Sequence, residues 1–134
     1  ADIRYTPPEA EIMVMGGRVR LQQVLVNLVS NALDAMETQD RPIIEISIQG
    51  DAGRCRVEMR DRGPGLSEDT LKNIFDPFFT TKSPGKGLGL GLSISYNIVR
   101  DFGGTLAARN HPDGGAVFIV DLAEAPEHAA VAAQ

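Results

Sequence analysis

The spacing of apolar residues divides the chain into two kinds of segment. Over 18–36, Leu21, Val24, Leu25, Leu28, Ala32 and Met36 recur at steps of three and four, the signature of one buried face on an amphipathic helix. Beyond Asp40-Arg41-Pro42 the period becomes two. Ile44, Ile46 and Ile48, and then Cys55, Val57 and Met59, alternate with Glu45, Ser47, Gln49 and Arg56, Glu58, Arg60, which predicts two adjacent half-buried strands joined at 50–53. Residues 67–74 predict a short helix, with Ser67 as N-cap and Glu68 and Asp69 at its positive end. Residues 75–86 carry no period and contain Pro77 and Pro84, so they read as a long loop, which in a compact domain is usually functional. A third helix is expected over about 88 to 102, ended by Gly103-Gly104. A hairpin over 105–110 and 116–122 follows, turning at His111-Pro112-Asp113-Gly114-Gly115.

Short β-compatible pieces at 2–5 and 11–15 precede the first helix, and Ala-rich residues 124–134 read as a flexible tail beyond a single domain over 1–123. This order of elements predicts an α+β fold: a two-layer α/β sandwich whose mixed, mainly antiparallel sheet is covered on one face by three helices.

Composition narrows the function. The chain has 134 residues, 43% of them hydrophobic, enough for one domain with its own core. With 18 acidic against 13 basic residues its net charge is -5, which argues against nucleic acid as a partner, so any bound phosphate has to be held locally. Cys55 is the single cysteine, which removes an intrachain disulfide and a cysteine-built metal cage and points to a reducing, cytoplasmic setting. No apolar run approaches the roughly 18 residues that span a bilayer.

Three stretches carry chemistry. Asn27, Asn31 and Asp34 share one stripe of the long helix among Val26, Leu28, Val29 and Ala32. A buried amide without a partner costs about 1–3 kcal/mol. Two arrangements satisfy these amides: hydrogen bonds within the protein, or a bound cation or phosphate, for which the carboxamide oxygen is a hard neutral ligand suited to magnesium. Asp61-Arg62-Gly63-Pro64-Gly65 follows directly on a strand. It reads either as an ordinary strand-ending turn or as a carboxylate that accepts from the exocyclic amine of adenine and repels the carbonyl of guanine, with glycines that let a ligand approach the backbone.

The third stretch is Gly85-Lys86-Gly87-Leu88-Gly89-Leu90-Gly91-Leu92-Ser93. It is not a P-loop, because Gly87 follows Lys86, and its glycines are spaced by two rather than as in a dinucleotide fingerprint. Closely spaced glycines opening a helix offer backbone N–H groups to an anion, or simply cap the helix flexibly. The preceding Phe75-Asp-Pro-Phe-Phe-Thr-Thr-Lys82 combines aromatic residues suited to core packing with a cation, Lys82, which like Lys86 can reach a phosphate.

Taken in order, Asn27-Leu-Val-Ser-Asn31-Ala-Leu-Asp-Ala-Met36, Asp61-Arg-Gly-Pro-Gly65, Phe75-Asp-Pro-Phe-Phe-Thr-Thr-Lys82, Gly87-Leu-Gly-Leu-Gly-Leu92 and Gly103-Gly104 resemble the N, G1, F and G2 boxes and the closing glycine pair of sensor histidine kinases. The residues around Pro77 to Lys82 and Leu92 to Gly104 are similar to those of the nitrogen-regulatory and dicarboxylate-sensing kinases. The resemblance covers the chain to about Leu122 and implies the Bergerat-type ATP-binding fold shared with the gyrase, Hsp90 and MutL ATPases. It further implies a protein-histidine kinase domain using ATP and Mg2+, with Asn31 binding the metal and Asn27 beside the phosphates as the catalytic pair.

By the same resemblance Asp61, with Gly63 and Gly65, would hold the adenine, and Gly87, Leu88, Gly89, Leu90 and Gly91 would form the phosphate-facing lid. Where many such kinases carry a Lys or Arg shortly after the second Asn, this chain has Asp34, Ala35 and Met36, so Lys82, Lys86 and Arg62 are the candidate phosphate cations. The implied partners are a separate histidine-bearing dimerisation domain and, through it, a response regulator, with this domain itself monomeric. Neither His111 nor His128 has the setting of a phosphorylated histidine. The related hydrolases place a Glu at the position of Asn27, and an amide cannot accept a proton from water, which disfavours hydrolysis. A non-catalytic nucleotide-sensing or docking module is the other reading.

Overall fold

The computed structural model describes residues 2–6, 13–14, 18–37, 39–51, 53–76, 91–123 and 131–132. The elements run β1 (Asp2–Thr6), β2 (Met13–Val14), α1 (Arg18–Ala35), β3 (Ile43–Asp51), β4 (Arg54–Asp61), α2 (Glu68–Asn73), α3 (Gly91–Asp101), β5 (Thr105–Asn110), β6 (Ala116–Ala123) and β7 (Val131–Ala132). Five strands form one sheet in the order β1-β3-β4-β6-β5. β1 runs parallel to β3 and every other pair in that sheet is antiparallel. The mixed, mainly antiparallel sheet is the one expected from the pattern.

Each element forms for a local reason. On β4 the even and odd positions part cleanly: Cys55, Val57, Met59 and Asp61 are buried while Arg54, Arg56, Glu58 and Arg60 face the other way. In register, Met59 stands between Ile46 and Phe118, and Val57 between Ile48 and Val120, so three strands present one apolar face. Against it α1 lays Val24, Leu28 and Ala32, with Met36 just beyond its last residue, and α3 adds Ile98 and Val99, closing a single core. α1 packs on α3 and on β4, and α3 on β5. The opposite face of the sheet carries charge, with Glu58 between Arg56 and Arg109 at 3.7 Å from each.

Helix ends follow from their terminal residues. Ser67 is the N-cap of α2, its hydroxyl accepting from Thr70 N at 3.1 Å, and Glu68 and Asp69 lie in the first turn. α3 ends in a Schellman turn: Gly104 N donates to Val99 O and Gly103 N to Arg100 O, both at 2.9 Å, with Gly103 at φ +76° where a side chain is disfavoured. Phe75, after α2, stacks on Tyr96 of α3 with ring centroids 5.2 Å apart, the packing role expected of it. Phe78 lies outside the described residues. Of the expected tail, 131–132 pair with β2 as a two-stranded ladder separate from the main sheet, and the rest lies outside the described residues.

Candidate functional site

Helix α1 carries Asn27 and Asn31 one turn apart, and Asn27 stands at its junction with α3. Both are half-buried. Asn27 Nδ2 donates to Ser95 Oγ at 3.1 Å, and Ser95 is 0% exposed in the face of α3 that meets α1. Asn31 Nδ2 donates to the main-chain oxygen of Asn27 at 2.8 Å. Because that acceptor is a carbonyl, the amide cannot be reversed, and the carboxamide oxygen is the end of Asn31 left for a ligand. Internal hydrogen bonding, one of the two ways of satisfying these amides, thus accounts for the nitrogen end of Asn31. Ser95 lies one helical turn beyond Gly91, the first residue of α3, so Asn27 sits near the positive end of that helix dipole.

The second half of the site is built at the end of β4. Asp61 is 3% exposed, a carboxylate inside the fold. Its Oδ1 accepts from Gly63 N at 2.8 Å and from Ala116 N at 3.2 Å, so two main-chain donors hold one oxygen and fix the plane of the group. The loop after Asp61 rests on the end of α1: a carbon added at Gly63 would stand 3.4 Å from Met36 Cγ and 3.5 Å from Ala35 O, and Gln39 Nε2 donates to Arg62 O at 3.0 Å. From Ala35 back to Asn31 and Asn27 is four and eight residues, about 6 and 12 Å along the axis at a 1.5 Å rise. One helix thus joins the buried carboxylate to the two amides.

On its other side the same loop is held by the β5–β6 turn. Asn110 bonds both main-chain groups of Leu66, accepting from Leu66 N and donating to Leu66 O, each at 2.7 Å. A carbon added at Gly65, where φ is +81°, would lie 2.9 Å from Asn110 Oδ1. One added at Gly115, where φ is +83°, would lie 2.0 Å from Asp61 O. The glycines of the Asp61 loop were expected to admit a ligand to the backbone; at Gly65 the left-handed φ and the nearby Asn110 side chain already favour a residue without a Cβ.

Arg62, a candidate phosphate cation, is bound to Glu45 of β3 through both Nε, at 3.1 Å, and Nη2. Its charge is engaged there, and the Arg62 hydrogen bond is the main cause holding the Glu45 carboxyl below its ordinary range. The remaining candidates, Lys82, Lys86, Gly87, Leu88, Gly89 and Leu90, lie outside the described residues. Ser95, Asn110, Gly115 and Ala116 were not singled out from the sequence. Ser93 and Ser95, hydroxyls interleaved with the apolar residues of the third helix and both buried in the fold, are a signal that could have pointed to such a junction; Asn110 and Gly115 look like ordinary hairpin residues until the turn is seen against the Asp61 loop.

The donor set admits magnesium in one form only. Among the described residues no three His, Cys, Asp or Glu side chains cluster to make a protein cage. A single neutral amide oxygen suits an ion that keeps its waters and shares a nucleotide's phosphates.

A five-stranded mixed sheet with helices packed on one face defines an α+β domain. The chain belongs to the histidine kinase-, DNA gyrase B-, and HSP90-like ATPase family, whose model matches residues 16–126. It is 47% identical over 117 residues to the C4-dicarboxylate transport sensor protein DctB of Pseudomonas aeruginosa, across 86% of this chain and 19% of that protein. It thus spans about a fifth of the length of such curated relatives. Among solved structures, the nucleotide-free catalytic domain of histidine kinase ThkA superimposes with a TM-score of 0.79 at 37% identity, covering 93% of this chain and 81% of that one. ThkA in complex with the response regulator protein TrrA gives a TM-score of 0.76 at 34% identity, over 94% of this chain and 35% of that one.

Proposed function

We propose that this chain is the catalytic domain of a sensor histidine kinase, binding ATP with magnesium and presenting the γ-phosphoryl group to a histidine on a separate dimerisation domain. The observation that carries the reading is the buried Asp61 carboxylate, with one oxygen held by Gly63 N and Ala116 N, at the far end of the helix that bears Asn27 and Asn31. With Oδ1 taken up, Oδ2 is the acceptor for an exocyclic amine. Adenine presents an amine at that point and guanine a carbonyl, so the carboxylate selects the base.

The helix then spaces base from phosphates. Asn31 would hold magnesium through its carboxamide oxygen, and the ion would neutralise charge on the phosphates. Asn27, with Ser95 at the start of α3, would position them. Phosphoryl transfer depends on positioning and charge neutralisation more than on covalent help, which amides and a helix terminus can give. Water is a poor nucleophile at this site, because the Asn27 amide is no base and its nitrogen already donates to Ser95.

The accepting imidazole belongs to another domain. His111 Nδ1 accepts from Asp113 N at 3.0 Å, which makes that side chain part of the hairpin turn. A response regulator such as the one bound by ThkA would be the next partner of the whole protein, on the cytoplasmic side. Among the described residues no helix is long and apolar enough to cross a membrane.

Calorimetric titration with a non-hydrolysable ATP analogue and its GTP counterpart, each with and without magnesium, tests the reading. Magnesium-dependent binding with a strong preference for adenine is expected. No binding at millimolar ligand, or equal binding of both bases, overturns it.

A further inference from the structure

We propose that Asn110, at the end of β5, is the positioning residue of the base pocket: acting through Leu66, it holds the Asp61 loop against β6 and thereby sets the preference for adenine. The inference rests on the reading of Asp61 given above. Asn110 and Leu66 are 44 residues apart, so their paired 2.7 Å bonds are no local turn but a tie between two loops. With an N–H on one side and a C=O on the other, the amide of Asn110 fits in one orientation only.

The tie matters because the Asp61 carboxylate is held from two separate pieces of chain. Gly63 N comes from the loop itself and Ala116 N from the first residue of β6. These donors converge on Oδ1 only while the loop keeps its place relative to β6, and Asn110 fixes that place three residues beyond Gly63. The rest of the turn is braced to match: His111 N donates to Gly115 O at 2.9 Å, Gly114 N to His111 O at 3.0 Å, and Arg60 Nη2 to Gly114 O at 3.0 Å. Asn110 itself is solvent-exposed and outside the apolar core, so its loss should unfix the loop without emptying the fold. A loosened loop lets the carboxylate turn, and an acceptor that can turn away no longer penalises the guanine carbonyl.

Two variants and two readouts test this. In Asn110→Ala, and in Asn110→Asp, which keeps the shape but sets a carboxylate against Leu66 O, the Kd for the ATP analogue should rise about tenfold, roughly the loss of one well-placed hydrogen bond. The Kd for the GTP analogue should stay within about twofold and the magnesium dependence should be kept, so the adenine-to-guanine ratio falls. Independently of nucleotide, amide hydrogen exchange should speed up at Gly63 and Leu66 while α1 and β4 stay protected. Folded variants with unchanged exchange at those two amides overturn the tie. Faster exchange with an unchanged adenine-to-guanine ratio overturns the positioning role. If the wild-type domain itself binds no nucleotide, the reading of Asp61 fails, and the proposal with it.

Discussion

In the proposed site Asp61 would form the base end and Asn31 the metal end, and single substitutions should separate the two. Asp61→Asn keeps a side-chain oxygen for Gly63 N and Ala116 N, because an amide of the same shape can accept both. It then presents an NH2 where Oδ2 would accept from adenine, replacing a charge-assisted bond by a donor facing a donor. We expect the Kd for an ATP analogue to rise about 10- to 100-fold, from the roughly 1.5–3 kcal/mol of a hydrogen bond to a charged group. The fold should persist, with circular dichroism unchanged. Asn31→Ala should do the opposite: affinity measured without magnesium is kept, and the gain on adding magnesium shrinks, which the same titration reads. Equal effects of both variants with and without metal would mean that the two ends are not separate.

At the scale of elements, β3 and the loop after β4 are joined by the Glu45–Arg62 pair, and its contribution depends on pH. Glu45 is held below its ordinary value of 4.5, first by the Arg62 hydrogen bond. In acid the unfolded chain therefore binds a proton at this carboxyl before the folded chain does. The contribution is present above 4.5 and is lost as pH falls through the lowered folded value. Both side chains are partly exposed, 43% for Arg62 and 32% for Glu45, so solvent screening limits the pair to about 0.5 kcal/mol. Glu45→Gln should lower Tm by about 2 °C at pH 7, and the difference should shrink as pH falls below 4.5. A difference that does not change with pH below 4.5 would assign the effect to packing.

The same scale shows what was legible beforehand. α1, β3 and β4 follow from periods of 3.6 and 2 because each buries one face, and the N-cap Ser67 is a local motif. Asp61 by itself read equally as part of an ordinary strand-ending turn, for which Asp and Gly are the usual residues, and only the ordered set of motifs around it pointed to a role. The parallel pairing of β1 with β3 joins segments some forty residues apart and leaves no mark in either. Asn110 and Gly115 were hidden for a related reason: Asn and Gly satisfy a hairpin turn whether or not the turn grips another loop, so their second role exists only in the folded arrangement.

For the molecule as a whole, the question is which part of the chain forms the cooperative unit. The core is closed by residues from Val24 to Leu122, shared among α1, α3 and four strands of the main sheet. Among the described residues β7 pairs only with β2, two residues against two, in a ladder outside that sheet. A ladder of that length is at most marginally stable alone, and it adds no strand to the layer that α1 and α3 cover. We therefore propose that the folding unit ends at Ala123, where β6 ends and the register with Arg54 closes the sheet. A chain shortened to 1–123 should unfold in one transition, with Tm within about 2 °C of the 134-residue chain and the same affinity for an ATP analogue. At this size about 1 kcal/mol corresponds to roughly 4 °C. A fall of about 8 °C or more would therefore make the β2–β7 ladder worth some 2 kcal/mol and part of the unit, and an affinity that fell with it would tie that ladder to the site.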